Sequence, residues 1–286
     1  MNKDFFKLGI IGKPLSHSIS PSIQESALLS KNLKGSYEKF EVDKEDLGEL
    51  IDYFKKNDFS GFNVTIPYKT EIIKYLDEVD EGAQKIGAVN TVKISADKIL
   101  IGFNTDIYGF YSSFLGISGL KKSPLNNAVM LGCGGAALSV VFGLEKLGCE
   151  ELVIYARNLD KAAEFINNIK DKTKMRLFAQ KLELISSLSN TDILVNATPL
   201  GTKGENENMS PVNGNIFLSA KKSMIVYDLV YNPQETELLK IAKEQGLYTI
   251  NGLDMLLLQG AKAFEIWTGV LPEISVMRTA ALKELL

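Results

Sequence analysis

In the first hundred residues, short apolar runs alternate with segments of helical spacing. "FKLGIIG" (Phe6–Gly12) reads as a strand, "SPSIQESALLSKN" as a helix and "SYEKFEV" as a second strand. "DKEDLGELIDYFKKN" predicts a helix with acids in its first turn and lysines in its last, as the helix dipole favours. "GFNVTIP" predicts a half-buried strand, Phe62, Val64 and Ile66 on one face and Asn63 and Thr65 on the other. "YKTEIIKYLDEV" predicts the next helix, started by Pro67 and carrying Lys69 in its first turn. Alternation of this kind implies a mainly parallel α/β sheet.

A loop over residues 120–127 separates this half from a second α/β run. There "AVMLG" is a buried strand, followed by a helix over residues 135–147 that Gly148 ends. "ELVIYAR" is a strand, "DKAAEFINNIKDK" a helix, and "DILVNATP" and "SMIVYDLVY" are further strands. The last forty residues read as helices. Two α/β runs in 286 residues suit two domains better than one core.

Charge and cysteine usage narrow the function classes. A net charge of −3 without a block of like charges argues against a nucleic-acid surface. Cys133 and Cys149 are too few for a disulfide scaffold, which points to a reducing cytoplasm. The N-terminus has no signal-peptide pattern. The uncharged stretch 128–144 is short for a membrane span and rich in glycine, so a strand–turn–helix explains it better.

That stretch carries the first candidate chemistry. Gly132, Gly134 and Ala137 fit G-x-G-x-x-G/A between a strand and a helix, the setting in which backbone N–H groups can cradle a pyrophosphate. The alternative is a glycine-rich turn in an α/β core. An NAD-selective site wants an acid near the end of the next strand, but this chain has Ala156-Arg157-Asn158. Arg157 suits a 2′-phosphate, which favours NADP over NAD, unless it is a surface arginine beside Asp160.

The only histidine, His17, stands among Ser16, Ser18 and Ser20. A serine hydrolase would need a hydroxyl aimed at the ring and an orienting acid, and no nucleophile elbow is present. On an extended segment, Ser18 and Ser20 would instead share a face and offer paired hydroxyls to a carboxylated or polyhydroxylated ligand. Local backbone bonding is the bland alternative for loop serines. Lys69 is disfavoured by the dipole at a helix start, which suggests another purpose for it. Asn90 in "GAVNT" and Asp106, at an expected N-cap in "GFNTD", each follow strand-like runs and could join it at one sheet edge. A solvated lysine and a capping aspartate are the bland readings.

"GKPLSHSISP", "NVTIPYK", "GAVNT", "GFNTD", "GCGGAA", "NATPLG", "DLVYNPQETELL" and "GLDMLLLQGAKAFEIWTG" occur in this order between Gly9 and Gly269. In them the chain resembles the shikimate dehydrogenase family. The resemblance implies an α/β protein with a mainly parallel substrate and catalytic domain over residues 1–106 plus about 253–286. It also implies a Rossmann-type NADP-binding domain over about 107–252, with the C-terminal helices packing back on the first domain. The implied activity is the reversible, NADP-dependent reduction of 3-dehydroshikimate to shikimate, a step of chorismate and aromatic amino acid biosynthesis.

Carried over by motif, Lys69 and Asp106 resemble the catalytic pair. Ser18 and Ser20 resemble ligands of the substrate carboxylate; Asn63, Thr65, Asn90 and Gln259 resemble partners of its hydroxyls; and Tyr231 lines the same pocket. Gly132, Cys133, Gly134, Gly135 and Ala136 resemble the pyrophosphate loop. Ala156, Arg157, Asn158 and Lys161 resemble the 2′-phosphate region. Thr198, Leu229, Gly252 and Met255 resemble residues of the nicotinamide side, and Glu81 a position near the cofactor cleft. Two positions depart from the common pattern. Gln24 stands where many members have histidine, as in the quinate/shikimate branch, and Ala156 and Asn158 replace the usual Asn and Thr, which leaves NAD possible. A quinate/shikimate dehydrogenase using NAD or NADP, and a non-catalytic NADP-sensing protein, are the other readings. Small molecules are the expected partners, no metal is expected, and the resemblance fits a monomer or homodimer.

Overall fold

The computed structural model describes residues 4–115 and 125–286, so most of the expected loop at 120–127 lies outside the described residues. The chain forms two compact units, Met1–Gly109 with Leu257–Leu286, and Phe110–Leu256. It leaves the first unit within helix α4 (Asp106–Leu115) and returns within helix α8 (Leu253–Thr268). Among the described residues, no helix is long and apolar enough to cross a membrane.

The first unit is built on a six-stranded sheet of order β2-β1-β3-β5-β6-β4. Its strands are β1 (Phe6–Gly12), β2 (Gly35–Glu41), β3 (Gly61–Val64), β4 (Glu78–Val79), β5 (Thr91–Ile94) and β6 (Leu100–Phe103). β2, β1 and β3 are parallel neighbours, as are β4 and β6, while β5 runs antiparallel to both β3 and β6. β3 therefore lies inside the sheet, and all four of its residues are buried, so the expectation of a half-buried strand does not hold. Helix α2 (Leu47–Lys56) supplies Leu47, Ile51 and Phe54 to a core with Phe59, Phe62, Val64, Val92 and Leu100. Helix α1 (Ser20–Ser30) packs on α9 (Ile274–Leu285), so the C-terminal helix belongs with this unit.

The expected helix after β3 is also corrected. Residues 65–70 form turns, and only Glu71–Tyr75 coil, as a 3₁₀ helix. Leu76 is extended because Glu78–Val79 pairs with β6, so sheet pairing overrides the helical spacing of Ile72, Ile73 and Leu76. Lys69 thus sits in a turn, not in the first turn of an α-helix.

The second unit has an all-parallel sheet of order β12-β11-β10-β7-β8-β9. Its strands are β7 (Asn127–Leu131), β8 (Glu151–Ala156), β9 (Arg176–Lys181), β10 (Ile193–Asn196), β11 (Ile225–Asp228) and β12 (Tyr248–Ile250). Read from β9, this is the doubly wound order with a topological switch point between β7 and β10. Helices α5 (Ala137–Lys146), α6 (Leu159–Ile169) and α7 (Glu237–Glu244) alternate with the strands. One apolar layer gathers Val140, Val141, Leu144, Leu152, Ile154 and Tyr227, and the other Leu131, Leu194, Val226, Leu238 and Leu239.

Candidate active site

Strand direction explains how residues far apart in sequence meet in the first unit. Lys69 follows the C-terminal end of β3 and Asp106 that of β6. Asn90 precedes the antiparallel β5, so its strand begins where the other two end. The sequence reading, which placed Asn90 after a strand, is corrected on this point. Lys69 Nζ donates to Asp106 Oδ2 at 2.6 Å, with the two side chains 18% and 12% exposed. Asp106 is the first residue of α4, not its cap. The side-chain oxygen of Asn104 accepts from the N–H groups of Asp106 and Ile107, so the Asp106 carboxylate is left for Lys69 and Asn90.

Asn90 is fixed from both ends. Its Nδ2 donates to Asp106 Oδ1 at 2.8 Å and Thr105 Oγ1 at 2.9 Å, with Gln259 Oε1 at 3.5 Å. Its Oδ1 accepts from the Thr105 N–H at 2.7 Å and from the hydroxyls of Thr91 and Thr105. Asn63, 7% exposed, is satisfied within the protein: Nδ2 donates to Asn90 O and Thr91 Oγ1, and Oδ1 accepts from the Tyr37 hydroxyl at 2.7 Å. A buried amide is tolerable only when so paired. Thr65, half-buried just past β3, has its N–H donated to Ile11 O.

Tyr37, Thr91 and Thr105 were not singled out from the sequence. Thr91 and Thr105 lie inside the quoted motifs "GAVNT" and "GFNTD", whereas Tyr37 carries no local signal. Burial pushes the Tyr37 phenol up from its ordinary pKa, with the Ser20 hydroxyl opposing. Tyr37 therefore links the serine segment to Asn63. That segment is not extended: residues 16 and 17 turn, Ser18 N–H donates to Leu15 O, and Ser20 opens α1. Ser18 and Ser20 are half-buried, Ser18 Oγ accepting from the Ser20 N–H at 3.4 Å, while His17 is exposed. Gln24, buried on α1, donates to Gly260 O at 2.9 Å and so ties α1 to α8 beside Gln259.

Tyr231 belongs to the second unit, half-buried after β11, and burial raises its phenol. Glu81 is exposed in the first turn of helix α3 (Glu81–Ile86), where the dipole accounts for an acid.

In the second unit the cofactor candidates cluster at the C-terminal strand ends around the switch point: Gly132 to Ala136 after β7, Ala156 to Lys161 at and after β8, and Thr198 and Leu229 after β10 and β11. Gly132 has φ +86, and a Cβ there would lie 2.7 Å from Thr198 Cγ2, so the turn demands glycine and packs on the "NATP" loop. Gly134 and Gly135 are exposed, and Ala136 caps α5 with no side-chain acceptor. A bare turn opening a ten-residue helix fits a dinucleotide pyrophosphate. Burial pushes the Cys133 thiol up, against the opposing pull of the Lys161 ammonium. Asn158 Oδ1 caps α6 by accepting from Lys161 N–H at 2.9 Å. Exposed Arg157, which pairs with no carboxylate among the described residues, lines a cleft of about 550 Å³ with Leu182, Pro211 and Ile216. Gly252 has no room for a Cβ against Leu229 O, and Met255 is buried in the core of this unit.

Comparison with known proteins places the chain. The shikimate dehydrogenase substrate binding domain matches residues 10–92 and the shikimate 5′-dehydrogenase C-terminal domain matches residues 252–282. A shikimate dehydrogenase (NADP(+)) of Methanococcus aeolicus is 42% identical over 273 residues, spanning 96% of this chain and 95% of the relative. The Thermus thermophilus shikimate 5-dehydrogenase, solved with NADP(H) and shikimate, is 36% identical with TM-score 0.83, covering 98% of this chain and 100% of its own. A quinate dehydrogenase from Corynebacterium glutamicum, solved with NAD, is 31% identical with TM-score 0.88, covering 98% and 100%. With identity of this level running across both units, the chain belongs to the shikimate dehydrogenase family.

Proposed function

We propose that this protein is an NADP-dependent shikimate dehydrogenase, an oxidoreductase that interconverts 3-dehydroshikimate and shikimate. The observation that carries the reading is the Lys69–Asp106–Asn90 cluster, a cation held at a fixed point by a carboxylate that is itself held. NADP(H), when bound, supplies or takes up the hydride. Lys69 delivers the proton to the forming alkoxide and polarises the ketone beforehand. Asp106 aims the ammonium, because its second oxygen is pinned by Asn90 and cannot swing away. Ser18 and Ser20 offer hydroxyls to the substrate carboxylate, Thr65 and Gln259 meet its hydroxyls, and Asn90, whose amide is engaged within the protein at both ends, holds Asp106 in place. Asn63 contributes chiefly by holding Asn90 and Thr91, since its own amide hydrogens are engaged.

The bare glycine turn, with the unpaired Arg157 after β8 and Lys161 in the first turn of α6, supports NADP as the cofactor of the second unit. Replacing Arg157 by alanine is expected to weaken NADPH binding about 10-fold or more, the order of a charge-assisted hydrogen bond, and to leave NADH nearly unchanged. Fluorescence titration with both cofactors checks this, and equal losses would remove Arg157 from the 2′-phosphate.

A quinate-oxidising activity with NAD is the second reading, favoured by buried Gln24 beside Gln259 and by the capping use of Asn158. Initial rates on shikimate and quinate, each with NADP⁺ and NAD⁺, separate the two. Shikimate with NADP⁺ is expected to give the highest kcat/KM. Preference for quinate with NAD⁺ would establish the second reading, and tight NADPH binding without turnover would indicate a sensor.

A further inference from the structure

Asp228, the last residue of β11, is fully buried, and among the described residues it pairs with no cation. Its carboxylate is held by hydrogen bonds alone. Oδ1 accepts from Asn196 Nδ2 at 2.9 Å and from the Val230 N–H at 3.0 Å, and Oδ2 accepts from the Thr236 hydroxyl at 2.6 Å. Burial pushes this carboxyl up to about 6, against the pull of Thr236, Val230 and Asn196. Burying an acid is unfavourable, so its connections matter more than its charge.

Each Oδ1 bond leads to a different loop. Asn196 turns its own Oδ1 to the Thr198 N–H at 3.0 Å and the Thr198 hydroxyl at 2.7 Å, and Thr198 in turn packs on Gly132. Val230 O accepts from the Gly252 N–H at 3.0 Å, and Gly252 is wedged against Leu229 O. This one oxygen therefore bridges the "NATP" loop to the "DLVYNP" and "GLDM" segments at the side-chain level, beside the backbone bonds from Leu229 N–H to Asn196 O and from Lys203 N–H to Asn232 O.

We propose that Asp228 is a positioning residue for the cofactor, fixing the loop of Thr198 relative to the loop of Leu229 and Gly252. This rests on the reading of those loops as the nicotinamide side of the site. The role belongs to the acceptor geometry and not to the negative charge. In Asp228→Asn the amide oxygen can keep both Oδ1 bonds, while its NH₂ donates to a rotated Thr236 hydroxyl. Asp228→Ala severs both links.

The test is NADPH affinity by fluorescence titration, with kcat and the KM for shikimate from initial rates. Asp228→Asn is expected to bind NADPH within threefold of the parent protein. Asp228→Ala is expected to bind 10-fold or more weakly, with a smaller rise in the KM for shikimate, since Tyr231 follows the freed Val230. Should the alanine variant fail to fold, Asn196→Ala answers the same question, because it frees Thr198 while leaving the Asp228 bonds to Val230 and Thr236. Parent-like NADPH affinity in the alanine variant, or in Asn196→Ala, overturns the proposal. An equal loss in Asp228→Asn overturns it too, by assigning the effect to charge. If the parent protein itself binds no NADPH, it is the reading of the site that fails.

Discussion

Replacing Lys69 by alanine is expected to lower kcat by about 10³- to 10⁴-fold and to leave the Kd for NADPH within twofold. The upper part of the range for general acid–base catalysis applies because the same ammonium both donates the proton and polarises the ketone. The structure argues that the loss will fall on turnover and not on folding. Lys69 lies in a turn after β3 with its side chain 18% exposed, and Asp106 keeps the Asn90 amide at 2.8 Å when the lysine is gone. Oδ1 therefore keeps its partner, and Oδ2, on a side chain 12% exposed, is left for water. Apart from Glu81, the cofactor candidates belong to the other unit, so NADPH affinity separates a lost proton donor from a damaged protein. Near-normal kcat in this variant would sink the assignment of Lys69, whatever the family resemblance.

The parts of this molecule that were legible from sequence are those fixed by local pattern. The strand–glycine–helix run at 127–146 is one: an apolar strand, a turn only glycine can make at Gly132, and an apolar helix face are all visible along the chain. Other parts depend on what lies next to them in space. β9 is an edge strand whose residues are mostly exposed, so "RLFAQK" shows no apolar run beyond Leu177–Ala179. β6 is legible as the strand-like run before Asp106, but β5 is only four residues, too short for its period to stand out. Missing β5 hid the antiparallel step that brings Asn90 beside Asp106. The turn before Lys69 was misread as a helix because Ile72, Ile73 and Leu76 have helical spacing, and only the pairing of β4 with β6 shows why the helix stops. The pairing of Lys69 with Asp106 is legible only through the family motifs. Tyr37 was missed altogether, since its contact with Asn63 spans 26 positions and leaves no trace in either segment.

The second large effect is expected at Gly61, the first residue of β3, where alanine should destabilise the first unit by about 3 to 5 kcal/mol. A Cβ at this position would overlap both Val92 O and the Trp267 indole nitrogen. Those two atoms form a buried hydrogen bond, Trp267 Nε1 donating to Val92 O at 2.9 Å, which joins α8 to β5. Neither can retreat easily: Val92 is paired opposite Phe62 in the sheet, and Trp267 is buried with its ring 6.3 Å from that of Tyr37. Overpacking of this kind costs about 1–3 kcal/mol, and a stranded buried donor or acceptor adds about 1–3 more. For a chain of this size that corresponds to a fall in melting temperature of roughly 10 °C. Trp267 is the only tryptophan, so its fluorescence reports the first unit selectively. Unfolding followed by that signal should shift strongly, whereas NADPH affinity at low temperature should stay close to that of the parent protein. Displacing Trp267 also disturbs Tyr37, and through it Asn63, so the KM for shikimate should rise even where the variant is folded. A melting temperature within 2 °C of the parent would mean that α8 slides to make room, and that the close approach of β3 to Trp267 does not set the stability of this unit.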